Sequence, residues 1–146
     1  MKLLITICLG VTLFSPSPTP NSPFDQYSTI RWEDEMARLD NFAIQLQNDE
    51  KATGYILVVE EAGGCPGEAQ ARAVRAKRYV VEHRRVPSNR VIWRIEGYSE
   101  GLFTTLILAP RKMILPHPFV PSIAGKAGPL SKPCKVKLQQ IKRSKW

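Results

Sequence analysis

The sequence predicts an α/β domain, an α+β sandwich in which the order β-α-β-α-β-β builds a mixed four-stranded sheet with two helices packed on it. Three observations point there. Tyr55-Ile56-Leu57-Val58-Val59 is an unbroken apolar run, as an interior strand requires. Gly63-Gly64-Cys65-Pro66-Gly67 follows and opens a stretch in which Ala69, Ala73, Ala76 and Val80 recur at helical spacing. Val91-Ile92-Trp93 comes next, after a Pro87-Ser88-Asn89-Arg90 turn. Strand, helix and strand in that order form a βαβ unit, whose crossover makes its two strands parallel.

The elements follow in order. A short strand is expected at Tyr27–Arg31. A helix over Glu33–Gln47 follows from Leu39, Ala43 and Leu46 at i, i+4 and i+7, flanked by Met36 and Phe42. Glu33, Asp34 and Glu35 in its first turn suit the positive end of the helix dipole. Asn48-Asp49 and Gly54 mark its exit. The second strand is Tyr55–Val59. The second helix spans Pro66–Arg84, with proline in the first turn and three buried alanines that call for close helix–sheet packing. Val86-Pro87 ends it. The third strand is Arg90–Ile95, Gly97–Gly101 is a turn, and Leu102–Leu108 is the fourth strand, expected to form a hairpin with the third. From Arg111 onward, prolines at 116, 118, 121, 129 and 133 point to an extended tail. Its apolar islands, Met113-Ile114-Leu115 and Phe119-Val120, could dock on the domain.

Charge and leader divide the chain further. The formal charge is +8, yet residues 111–146 hold nine Lys or Arg and no acid, so the excess belongs to the tail. Met1-Lys2 and the apolar run Leu3–Phe14 resemble an export signal and are short for a bilayer span. Cys8 follows Ile7, which does not fit a lipid-attachment box. Residues 16–24 carry four prolines and read as a Pro/Ser linker. The expected organisation is a signal peptide at 1–15, the linker at 16–24, one domain at 25–110 and a basic Pro-rich tail at 111–146. In an oxidising compartment Cys65 and Cys134 either pair, tying the tail to the glycine loop, or remain two free thiols.

The order helix, strand, glycine loop, Arg-Ala helix, strand resembles the OmpA-like C-terminal domain family over residues 25–108. That family is non-catalytic and binds peptidoglycan in the bacterial envelope. Its core reads Gly-His-Thr-Asp, a glycine three residues later, then Asn-x-x-Leu-Ser-x-x-Arg-Ala. Anchored on Arg75-Ala76, the family's glycine falls on Gly63, its ligand-binding aspartate on Glu60 and its arginine on Arg75. Leu57-Val58-Val59 replaces Gly-His-Thr, Glu68 the asparagine and Ala71-Arg72 the Leu-Ser pair. Leu39–Ala43 and Gly67–Ala73 also resemble a group of uncharacterised secreted bacterial proteins. The resemblance implies an exported periplasmic or cell-envelope protein, without catalytic activity or cofactor.

The side-chain chemistry offers one ligand scheme. Arg75 lies about 120° from the buried stripe of its helix, with Arg72 and Tyr79 on the same flank. Glu60 would take the ammonium and Arg75 the carboxylate of a zwitterion such as the crosslinking diamino acid of peptidoglycan, with Arg72 beside them. The bland alternative is a solvated basic face with a surface ion pair. No Cys-x-x-Cys or His-Glu-x-x-His occurs, and His83 and His117 are the only histidines, so neither a metal site nor an enzyme is expected. The basic tail would be weakly attracted to anionic polymers. It carries no specific nucleic-acid module. Two further readings are an exported protein-interaction module without peptidoglycan binding and a polyanion binder acting through the tail.

Overall fold

The computed structural model describes residues 22–144. The expected signal peptide and the linker before Ser22 lie outside the described residues. The elements are β1 (Asp25–Ser28), α1 (Trp32–Asn48), β2 (Ala52–Glu61), α2 (Glu68–Arg78), β3 (Val91–Ser99), β4 (Phe103–Pro110) and α3 (Lys132–Arg143). The strands form one mixed sheet in the order β1-β4-β2-β3. β2 and β3 are parallel, with Gly54 opposite Val91 and Val58 opposite Ile95, as the βαβ unit requires. β4 runs antiparallel to both β2 and β1.

The expected β3–β4 hairpin is not formed. β4 crosses past β2 and fills the slot between β2 and β1. The reason is burial: Leu106 and Ile107, on opposite faces of β4, are both fully buried, which suits an interior position. A hairpin with β3 would leave this apolar strand at an edge and one side of β2 unpaired. The expected turn at Gly97–Gly101 is also shorter than predicted, because β3 continues to Ser99. Glu96 and Gly97 together stand opposite Val59, a β-bulge, and Gly97 adopts φ +106°, which a side chain would resist.

The helices form as their patterns require. Leu39, Phe42, Ala43 and Leu46 of α1 are fully buried, as are Ala73 and Val80 on the second helix. Gly54 does not mark the exit of α1 but lies inside β2, beneath Phe42 and Leu46. The buried Arg90 joins the end of α1 to the start of β2: its guanidinium donates to Leu46 O at 2.7 Å and to Ala52 O at 2.9 Å. α2 starts after Gly67 and continues past Arg78 in a π-helical turn, Tyr79–His83.

β2 explains the two-sided burial. Ile56 and Val58 join α1, α2 and Val91 in the main core. Tyr55 and Leu57 face the other way, into a second cluster with Ile107, Ala109 and Leu115. That cluster is completed by Met113, Phe119 and Val120. The apolar islands of the tail therefore dock, and they cover the second face of the sheet. The strap is held by polar contacts as well. Tyr55 Oη donates to Met113 O at 2.9 Å, Arg94 donates to Leu115 O and Pro116 O, and Ile123 bridges to Tyr98.

The tail is not wholly extended, because α3 occupies Lys132–Arg143. Ser131 caps it by accepting from Cys134 N, and Pro133 sits in the first turn, where its missing donor costs nothing. Lys142 and Arg143 in the last turn complement the helix dipole. α3 packs against α2, so three helices rather than two accompany the sheet.

Candidate functional site

The residues singled out in the sequence do not converge on one pocket. Arg75 is buried in the seam between α1 and α2, with 6% of its surface exposed. Its Nη2 donates to Glu35 Oε2, and its guanidinium lies 4.0 Å from the centre of the Trp32 ring. Its Nη1 reaches Ser144 Oγ at 3.4 Å. Burial pushes the Arg75 pKa down, while the adjacent Glu35 pulls it up. Arg72 is equally buried and forms an ion pair with Glu68 at 3.0 Å, one helical turn back. Glu68 in turn receives Lys137 of α3 at 2.7 Å. Both arginines thus have carboxyl partners from this chain. Neither partner is Glu60, which sits half-buried near the end of β2, opposite Tyr98.

Glu35 was legible in the sequence only as an acid suited to a helix start. It is in fact a buried hub. Tyr27 Oη donates to Glu35 Oε1 at 3.3 Å from β1. Burial raises the Tyr27 pKa, and the neighbouring Glu35 adds to the shift by disfavouring a second anion. Trp32 stacks edge-on against Tyr79 at 5.6 Å, and Tyr79 Oη donates to Asp40 Oδ1 at 2.6 Å. Burial is also the main reason the Tyr79 pKa is pushed up to about 12, with the Asp40 hydrogen bond second. Tyr79 thus belongs to a packed seam, not to an open flank.

The glycine loop is clasped rather than open. Cys65 and Cys134 form a disulfide across a sequence separation of 69 residues. Gly63 N donates to Lys126 O at 2.9 Å, and Gly128 N donates to Gly64 O at 2.7 Å. The donors that could have cradled an anion are engaged: Gly63 N by the carboxyl-terminal segment, and Gly64 N and Glu68 N by Glu61 O and Cys65 O of the loop itself.

Two basic features lie along α3. The first is a groove of about 290 Å³ between α2 and α3, with Val74, Leu138 and Ile141 as its apolar wall and Arg75, Arg78 and Lys142 at one end. The second is the outer face of α3, where Lys132, Lys135, Lys142 and Arg143 are exposed. The leucine and isoleucine of the groove had a sequence signal: Cys134, Leu138 and Ile141 stand at i, i+4 and i+7.

On the strap side, Glu96 is fully buried and accepts from Arg94 Nε at 2.9 Å and from Phe119 N. His117 Nδ1 lies 3.4 Å from Glu96 Oε1. No side-chain nucleophile shares a described contact with this cluster, which acts as an anchor for the strap. Among the described residues, no group of three His, Cys, Asp or Glu could hold a metal ion. No helix among them is long and apolar enough to cross a membrane.

No protein-family model, no curated protein and no solved structure matches the chain.

Proposed function

We propose that this chain is a non-catalytic, exported module of the bacterial cell envelope, OmpA-like in fold, that acts through contact with another protein rather than by clamping peptidoglycan between Glu60 and Arg75. One observation carries the choice: Arg75 is buried against Glu35 and Trp32, with Ser144 beside it, and Glu60 does not line the groove that Arg75 borders. Holding a diamino-acid carboxylate there would require breaking a buried ion pair, which costs several kcal/mol (about 3–5). The Cys65–Cys134 bridge supports export, since such bonds persist in oxidising compartments.

Co-sedimentation of the oxidised protein with purified peptidoglycan sacculi tests the reading. The expected result is recovery in the supernatant, unchanged by Arg75→Ala. Sedimentation that Arg75→Ala or Glu60→Gln abolishes would establish the peptidoglycan clamp and overturn the proposal. A polyanion reading draws on the exposed cations of α3. Its signature is sedimentation that falls steeply with salt and is lost on substituting Lys132, Lys135 and Arg143.

A further inference from the structure

We infer that the outer edge of β3 takes an extended, apolar segment of a partner protein as an added strand. This rests on the protein-contact reading above and names its surface and its kind of partner. The sheet has two edges, β1 and β3. β1 is four residues long, and its Asp25 is paired with Arg38 at 2.7 Å, so that edge is short and charged. β3 is nine residues long. On its outer side, the one backbone bond among the described residues is Ile123 N donating to Tyr98 O at 2.8 Å. Alternate residues of a strand turn their amides and carbonyls to the same side. The stretch Val91–Ile95 therefore presents such groups outward over about 17 Å.

The cover of the sheet runs out at this strand. Tyr55, Ile56, Leu57 and Val58 of β2 are buried. Their register partners Ile92, Trp93, Arg94 and Ile95 all keep part of their surface exposed. The helices and the strap thus enclose β2 fully and β3 only in part. The devices that protect an edge are missing from this stretch as well. Neither proline nor lysine occurs between Val91 and Ile95, and the bulge comes later, at Glu96 and Gly97. Arg94 is its one charged side chain, and it is drawn over the sheet face to Glu96, Leu115 O and Pro116 O.

The chain's own strap shows what the edge accepts. Ile123 pairs with Tyr98 as an isolated antiparallel bridge, from a segment with no regular structure around it. A guest laid along Val91–Ile95 would flank Ile92 on the strap side and Trp93 and Ile95 on the helix side. Ile92 stands opposite Tyr55, whose hydroxyl donates to Met113 O, and the next residue, Ile114, is 87% exposed. Apolar surface therefore lies beside the edge on both faces of the sheet. With Arg94 committed, no charge there selects a charged guest. The matching segment is rich in β-branched or aromatic residues and has free amides at alternate positions. Backbone bonds would supply the affinity and alternate side chains the selectivity.

Titration of the full oxidised chain with the capped peptide Lys-Thr-Val-Ile-Thr-Val-Ile-Thr-Lys is the test, read by amide chemical shifts and hydrogen exchange. Shifts are expected at Val91–Ile95, with exchange of the outward amides there slowed about tenfold. Two N-methylated versions of the peptide, blocked at odd or at even positions, should differ. One should lose binding and the other keep it, because only one side of the guest faces β3. Ile92→Lys places a guard on the edge and should weaken binding about tenfold with circular dichroism unchanged. Failure of the peptide to bind, equal binding by both methylated versions, or shifts confined to β1 would each overturn the assignment. A dimer of the free chain with the same amides already protected would also overturn it, since a second copy would then hold the edge. None of these outcomes alters co-sedimentation with sacculi, so the edge and the protein-contact reading fail separately.

Discussion

Glu35 of α1 and Arg75 of α2 face each other across the helix seam as an ion pair whose side chains are 1% and 7% exposed. A pair so enclosed gives little net stabilisation, because both ions lost their water on folding. It is nevertheless costly to break, since the survivor is left charged in an apolar seam. It also fixes geometry: Glu35 ties β1 to α1 through Tyr27, and Arg75 ties α1 to α2 through Trp32.

Glu35→Ala should therefore lower the unfolding free energy by about 3–5 kcal/mol. Replacing Glu35 with Leu and Arg75 with Met together should cost far less than either single change. Urea denaturation of the four proteins in the cycle measures both quantities. A double-variant loss equal to the sum of the two single losses would mean the pair carries no coupling.

The disulfide leads to a second expectation. Cys65→Ser with Cys134→Ser should lower stability by about 2–4 kcal/mol, and reduction of the native protein should match it. Hydrogen exchange should rise first in α3 and at the amides of Gly63 and Gly128, which bond across the two segments that the bridge holds together.

On the other face, Glu96→Ala should release the strap without unfolding the helices. Phe119 N loses its acceptor, and Arg94 loses its partner on β3. A stability loss of about 1–3 kcal/mol is expected, with amide exchange accelerated from Met113 to Val120. Unchanged protection at Phe119 would refute the anchoring role of Glu96.

Alkaline pH gives a further test. The folded state raises the Tyr79 pKa from 10.0 to about 12, so the folded protein keeps this proton where the unfolded chain has released it. The stabilisation is complete below pH 10 and is lost as pH climbs through that window, because the unfolded state then binds fewer protons. Burial and Glu35 shift Tyr27 in the same direction. Thermal midpoints should fall between pH 10 and pH 12, and Tyr79→Phe should reduce the slope.

The sheet and its two main helices were legible because local periodicity and burial agree there. The apolar run Tyr55–Val59 is buried on both faces, and the alanine stripe of α2 rests on the sheet. Strand order was less legible. Gly97–Gly101 looks like the tip of a hairpin, but pairing was decided by the burial of Leu106 and Ile107, which a local turn signal does not encode. α3 was hidden by reading Pro133 as a breaker, although a proline just after a capping serine starts a helix. The site was least legible. Glu35 and Arg75 are 40 residues apart, and nothing local distinguishes an acid that faces water from one that faces an arginine across a seam.

β4 occupies the middle of the sheet yet is the last strand among the described residues. Until β4 is available, β1 has no partner and β2 has only β3. A fragment ending at Ser99 would hold two parallel strands and a detached amino-terminal one, with Leu57 and Tyr55 uncovered. Closure of the sheet thus waits for β4, and distant segments must meet before β1 gains a partner.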